Sequence, residues 1–135
     1  MPDASPRFIL GLPEMDAQHD YLYSLFDEIE QAPHATNRES MAALISEIER
    51  YISFHFESEE LLMRRYGFPG FAQHQSDHEL ACGRFVQFQN DFETGSLNPA
   101  ALRIFLTGWL MEHSETSDSQ YAVWIKGKRA EVGRK

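Results

Sequence analysis

Residues 41–66, MAALISEIERYISFHFESEELLMRRY, decide the fold of this chain. Apolar side chains recur there at steps of three and four residues, which is the spacing of one face of an α-helix. Such a helix is roughly 40 Å long, and Gly67 follows it as a residue that favours a helix end. The apolar face also carries two polar residues, in the row Met41, Ile45, Ile48, Ile52, His55, Glu59, Leu62 and Tyr66.

Three further stretches have the same helical spacing, and no stretch alternates as a β-strand does. The first runs from about Glu14 to Gln31. The capping box Thr36-Asn37-Arg38-Glu39 starts the second helix, the one that contains residues 41–66, and Pro69 suits the first turn of the third. Asn98 and Pro99 begin the fourth as an N-cap and a first-turn proline. The sequence therefore predicts an all-α, up-down-up-down four-helix bundle.

The length of 135 residues suits a single domain with a core of its own. We expect an irregular N-terminal arm at about 1–13, the bundle at about 14–126 and a short basic tail at 127–135. No stretch approaches 18 apolar residues, so we expect no membrane insertion. The chain reads as one helical domain.

Charge and cysteine content limit the partners and the compartment. The 21 Asp and Glu residues against 12 Lys and Arg give a net charge of -9, which argues against nucleic acid and anionic membranes as partners. Cys82 is the only cysteine, which excludes an internal disulfide and suits a reducing compartment. We expect a cytoplasmic protein, and the sequence identifies no protein partner.

Seven residues form the candidate functional site. Five of the six histidines lie on the apolar faces of the four helices, where a polar side chain is costly unless it is paired or bound to a metal. His55 and Glu59 are four residues apart, as are His74 and His78, so each pair presents adjacent side chains on one helix face. Five imidazoles and two carboxylates exceed the four ligands of one zinc ion and predict a two-metal site, with iron favoured. The seven are His19, His55, Glu59, His74, His78, His113 and Asp118.

The spacing of His113 and Asp118 carries a separate prediction. In a regular α-helix two residues five apart point about 140° away from each other. The apolar face resumes at Tyr121 and Ile125, in phase with Asp118, so one extra residue has entered the repeat. A π-helical turn would absorb that residue and direct both side chains inward. We predict such a turn between His113 and Asp118.

The candidate ligands lie in four motifs: Met15-Asp16-Ala17-Gln18-His19, His55-Phe56-Glu57-Ser58-Glu59, His74-Gln75-Ser76-Asp77-His78 and His113-Ser114-Glu115-Thr116-Ser117-Asp118. Together these motifs resemble those of the hemerythrin family, in particular its single-domain bacterial members, the bacteriohemerythrins. The resemblance spans Met15 to Ile125, and further residues match as well: Glu60-Leu61-Leu62-Met63, Tyr66, Trp109-Leu110 and Tyr121.

The resemblance implies a non-heme di-iron centre that binds dioxygen reversibly. By the same resemblance, one iron would be held by His74, His78 and His113, and the other by His19 and His55. An oxo or hydroxo group would bridge the two irons together with two carboxylates, those of Glu59 and Asp118.

Residues around the ligands are expected to shape an O2 pocket, namely Phe56, Trp109, Leu110 and Thr116. Ser114 stands where the family usually has isoleucine, and a more apolar residue than Thr116 is usual in the pocket. These differences predict a wetter pocket and a shorter-lived oxygenated form. Cys82 is expected as core filler. Four acidic residues point off the helix faces and are expected at the surface, with Asp77 as a candidate support for a ligand: Glu57, Glu60, Asp77 and Glu79.

The leading function is therefore O2 binding, for storage, delivery or scavenging, in a protein that is not an enzyme. One alternative is an O2 or redox sensor, and since 135 residues leave no room for an output domain, it would act through a separate partner. The other is a di-iron oxidase or peroxidase, but the chain lacks the Glu-x-x-His motifs of ferritin-like oxygenases.

Overall fold

Four long helical segments pack side by side in the computed structural model, which describes residues 9–133. α1 contacts α3 and α5, α3 contacts α4, and the rings of Phe88 and Phe105 join α4 to α5 with centroids 5.6 Å apart. The predicted all-α four-helix bundle is confirmed. The elements are α1 Pro13–Glu28, α2 Ala32–Thr36, α3 Arg38–Tyr66, α4 Phe71–Glu93, α5 Pro99–His113, a π-helical segment Ser114–Asp118 and α6 Ser119–Gly133.

The helix ends agree with those predicted from the capping residues except at three places. Asn98 Oδ1 accepts from the backbone N–H of Ala101 at 3.2 Å, as an N-cap should. The cap of α3 is Asn37, not Thr36, because Thr36 belongs to the short helix α2, which the sequence did not predict. This extra helix also means that α1 ends at Glu28 rather than Gln31.

The turn between α3 and α4 shows the third correction. Gly67 has φ 71°, a left-handed conformation that glycine adopts without strain, and it ends α3 as predicted. Pro69 lies in the turn that follows, so α4 starts at Phe71, two residues later than expected.

The N-terminal arm is fixed to the bundle where the structure describes it. Residues 1–8 of the predicted arm and residues 134–135 of the predicted tail lie outside the described residues. Asp16 accepts from the backbone N–H groups of Leu10 at 2.9 Å and Gly11 at 3.0 Å. Lys126 Nζ donates to the carbonyl of Leu10, which ties the arm to α6. α6 itself continues through residues 127–133 of the basic tail.

The core consists of two apolar clusters separated by a layer of polar side chains. Cluster one joins residues 22–29 at the end of α1 and just after it, 41–56 of α3, 81–88 of α4 and 102–110 of α5. Cluster two contains Leu10, Leu12, Met15, Met63, Tyr121, Ala122 and Ile125. The histidines lie between the two clusters in every long helix, so the candidate site crosses the whole bundle. Cys82, expected inside, is exposed. Within residues 9–133 no helix is both long and apolar enough to cross a membrane.

The predicted π-helical turn is confirmed. Residues Ser114–Asp118 form it, and the helix continues without interruption from α5 into α6. His113 and Asp118 are both buried, so the wider turn directs both side chains to the interior although they are five residues apart. Tyr121 and Ile125 are buried in cluster two, which shows that the turn restores the apolar phase of α6.

Deletion of Glu115, an exposed residue of the π turn, should convert the turn to regular α-helix and leave α5 and α6 in their present phases. We expect the free energy of unfolding to change by less than about 1 kcal/mol, because no core residue changes its direction. Deletion of Gly108, an exposed residue in the regular part of α5, is the control. It rotates the flanking core positions by about 100° and should cost at least about 2 kcal/mol. Chemical denaturation measures both, and equal losses would contradict the prediction.

Candidate metal centre

All seven candidate residues converge in the polar layer between the two clusters. α1 contributes His19, α3 contributes His55 and Glu59, and α4 contributes His74 and His78. His113 ends α5 and Asp118 ends the π-helical segment. None of the seven has more than 5% of its surface exposed. The site is therefore enclosed, and its charges lie in a medium that screens them weakly.

The donor atoms form two groups that share one carboxylate. Glu59 belongs to both groups, and within each the donor atoms lie within 4.8 Å of one another, close enough to hold a metal ion. One group adds three imidazoles to Glu59 and the other adds two imidazoles and a second carboxylate: Glu59, His74, His78, His113; and His19, His55, Glu59, Asp118.

Each carboxylate directs one oxygen to each group. Oε1 of Glu59 lies 3.0 Å from Nε2 of His74, and Oε2 lies 2.9 Å from Nε2 of His55. Oδ1 of Asp118 lies 3.1 Å from Nε2 of His74, and Oδ2 lies 3.2 Å from Nε2 of His19. Both side chains thus stand between the two groups, which is the position of a bridging carboxylate.

Several of these atoms lack a hydrogen bond, although they are fully buried. They are close to one another, but their directions do not suit donation and acceptance, since the ring nitrogens and carboxylate oxygens all face the centre of the site. An unsatisfied buried polar atom costs about 1–3 kcal/mol, so a cluster of them indicates that another group belongs there. Imidazole nitrogens with carboxylate oxygens suit iron. The atoms are His19 Nε2, His55 Nε2, Glu59 Oε2, Asp118 Oδ1 and Asp118 Oδ2.

The metal-free site holds protons in place of cations. Burial alone would lower the pKa of His19, but the carboxylates of Asp118 and Glu59 outweigh it and raise that pKa from 6.5 to about 9. The pKa of His74 is raised to about 9 by the same balance. Burial works against ionisation of Asp118 and Glu59, yet their histidine neighbours hold both pKa values well below the ordinary range. Two carboxylates and two imidazolium groups thus neutralise one another.

Residues outside the seven orient the imidazoles. His55 Nδ1 donates to Gln18 Oε1 at 2.7 Å, and His78 Nδ1 donates to Glu60 Oε2 at 2.7 Å. These bonds place the ring proton on Nδ1 and leave Nε2 free to face the site. Sequence reasoning missed Gln18 and assigned Glu60 to the surface. In the sequence, the sign of their supporting role is that Gln18 directly precedes His19 and Glu60 directly follows Glu59.

Two expectations about supporting residues are corrected. Asp77, the expected support, accepts instead from Gln73 at 3.0 Å and from Ser117 at 3.3 Å. Ser114 is buried with its hydroxyl 3.4 Å from Nδ1 of His19, so it stands behind an imidazole rather than in a pocket.

Aromatic rings cover the three-histidine group on the side of cluster one. Phe56 stacks on His78 with ring centroids 3.8 Å apart, and Trp109 stacks on His113 at 4.5 Å. Phe56, Trp109 and Leu110 also line a small cavity of about 20 Å³, room for one molecule of water size. The other walls are apolar apart from Cys82.

Thr116, expected in the same pocket, does not line this cavity. It is exposed, and its hydroxyl donates to the carbonyl of Glu112 at 2.8 Å. The π turn rotates Thr116 to the surface while it brings Asp118 inward. Thr116 instead lines a larger, partly polar cleft together with Trp109 and His113, so the expectation of a wetter pocket stays a prediction.

The chain matches the model of a known protein family. The family model for the Hemerythrin HHE cation binding domain matches residues 10–125, which include all seven site residues. The chain belongs to the hemerythrin family. It is 28% identical over 125 residues to a bacteriohemerythrin of Stenotrophomonas maltophilia, covering 93% of this chain and 82% of the relative. A hemerythrin-like protein of Naegleria gruberi is 29% identical over 114 residues, covering 84% and 85%.

A solved structure agrees on the fold. The crystal structure of wild-type hemerythrin superimposes with a TM-score of 0.79 at 24% identity, covering 90% of this chain and 95% of that one. Family membership and the clustered donors together make this chain a non-heme di-iron protein that binds O2.

The pH dependence of the metal-free protein follows from the imidazole and carboxylate pKa values. A raised imidazole pKa stabilises the fold fully below pH 6.5, and this stabilisation is lost as the pH rises to about 9. A lowered carboxylate pKa stabilises the fold above about pH 4.5 and ceases to do so as the pH falls below that value. We therefore expect the metal-free protein to be most stable between about pH 4.5 and 6.5.

Thermal unfolding across pH 4–10 checks this expectation. The iron-loaded protein is the control, because bound imidazoles are neutral and the decline between pH 6.5 and 9 should disappear. A metal-free unfolding temperature that stays constant between pH 6.5 and 9 would contradict it.

Proposed function

We propose that the seven clustered residues hold the iron pair and that the chain binds O2 reversibly for storage, delivery or scavenging. The observation that supports this proposal is the unequal division of imidazoles between two donor groups that share Glu59, with Asp118 directing its second oxygen to His74 of the other group. One iron would take His74, His78 and His113. The other would take His19 and His55, with the carboxylates of Glu59 and Asp118 as bridges.

The unequal division gives the two halves different numbers of imidazole donors. With one imidazole fewer, the His19 and His55 half would leave its iron a coordination position that the protein does not fill. A reduced iron pair held here would supply two electrons and that open position to O2. The chain itself supplies orientation, because Gln18 and Glu60 fix two of the rings, and dryness, because Phe56 and the residues around it exclude water.

Reversible binding is favoured over turnover by the ligand types of the site. The histidine-rich donor set differs from the carboxylate-rich sites of ferritin-like oxygenases. We therefore infer an O2 carrier rather than an oxidase or peroxidase. We also infer a cytoplasmic location, which the single exposed cysteine suits.

The test is an optical spectrum with iron quantitation on protein that is reduced anaerobically and then exposed to air. We expect two irons per chain and a colourless reduced form. Air should bring visible absorption bands that disappear on deoxygenation. Prompt, irreversible oxidation would favour a redox sensor or peroxidase instead, and one zinc without colour would contradict the di-iron site.

Two histidine variants locate the iron within the chain. His55→Ala removes a fully buried imidazole of the two-histidine group and should reduce the iron content below two per chain and abolish the reversible bands. His34→Ala is the matched control, because His34 lies in α2 and contacts Ser40 and Glu28 rather than the site. It should retain both irons and the bands. Equal iron loss in the two variants would contradict the proposed ligands.

A further inference from the structure

The imidazoles of the two donor groups have hydrogen-bond partners of different charge. In the three-histidine group, His78 donates from Nδ1 to the carboxylate of Glu60 at 2.7 Å. In the two-histidine group, His55 donates from Nδ1 to the neutral amide of Gln18 at 2.7 Å. His19 has the neutral hydroxyl of Ser114 at 3.4 Å. Through these contacts one half of the site is joined to a negative charge and the other half only to neutral groups.

The carboxylate of Glu60 is held at both oxygens. It follows Glu59 directly in α3, so its side chain leaves the site face and reaches across to α4. There Oε2 accepts from His78, and Oε1 accepts from Gln75 Nε2 at 3.0 Å. The side chain is 17% exposed, so solvent screens its charge only partly. These contacts give a fixed carboxylate on the outer side of one imidazole.

We propose that Glu60 is a positioning residue that, through His78, makes the three-histidine iron the first of the pair to be oxidised. This inference rests on the proposed ligands. A carboxylate that accepts the Nδ1 proton makes Nε2 of the same ring a stronger electron donor, which stabilises a ferric ion over a ferrous one. The amide of Gln18 gives His55 the same orientation without the charge.

The electron balance is that of one oxidation step. One electron leaves the reduced pair for a chemical oxidant such as ferricyanide, which becomes ferrocyanide. The Nδ1 proton remains shared between His78 and Glu60, and no bond to either residue is broken.

The experiment is a spectroelectrochemical titration of the iron-loaded full chain, after the iron content of each variant has been measured. Glu60→Gln should shift the first midpoint potential in the positive direction, because the amide keeps the hydrogen bond but removes the charge. Glu57→Gln is the matched control, with the same change on the same helix at an exposed position, and should leave the potential unchanged. Gln18→Glu adds the charge to the other half and should shift the potential in the negative direction.

The double variant Gln18→Glu/Glu60→Gln separates charge position from total charge. We expect its half-oxidised form to give an altered EPR spectrum, because the ferric ion would then occupy the two-histidine half. The inference would be overturned if Glu60→Gln and Gln18→Glu, each made separately, both kept two irons and neither shifted the first midpoint potential more than Glu57→Gln does. If Glu60→Gln fails to fold, Gln18→Glu still decides it. A wild-type chain that takes up no iron pair would overturn both this inference and the proposed function.

Discussion

Burial of two carboxylates in the middle of a helical bundle is the constraint on which the rest of the structure depends. Glu59 and Asp118 have almost no exposed surface, and an ionised carboxylate is stable there only if cations neutralise it. Five imidazoles surround them and are the proposed ligands of a metal pair, and in the metal-free chain the raised pKa values of His19 and His74 let these two supply the positive charge. The two apolar clusters close the site from both ends, and the helices that carry the clusters fix the positions of the ligands.

The apolar helical faces predicted the bundle and the convergence of the seven residues, because a polar residue on an otherwise apolar face must point inward. The π turn was also predictable from the sequence. Tyr121 and Ile125 are out of helical phase with Leu106 and His113 unless a wider turn absorbs one residue between them. Most interior positions along these faces were thus predictable from helical periodicity.

Residues at the edges of these faces were not predictable in the same way. Whether Glu60 reaches His78 depends on how α3 and α4 cross, and periodicity within one helix contains no information about that. Cys82 follows His78 by four residues and yet is exposed, while Ala81, three residues after His78, is buried, so Cys82 lies just outside the buried face of α4. Thr116 was assigned to the O2 pocket from the family resemblance rather than from periodicity, and it lies on the exposed side of the π turn, outside the apolar cavity.

The π turn also bears on how such a site arises. A helix that widens one turn to hold an additional amino acid lets its two ends keep their separate partners, cluster one for α5 and cluster two for α6. In genetic terms, the gain of a single codon within this segment changes the residues that face the site without disturbing the packing on either side of it. A mutation of this kind can therefore alter the site-facing residues of this helix while the packing of the bundle around it is retained.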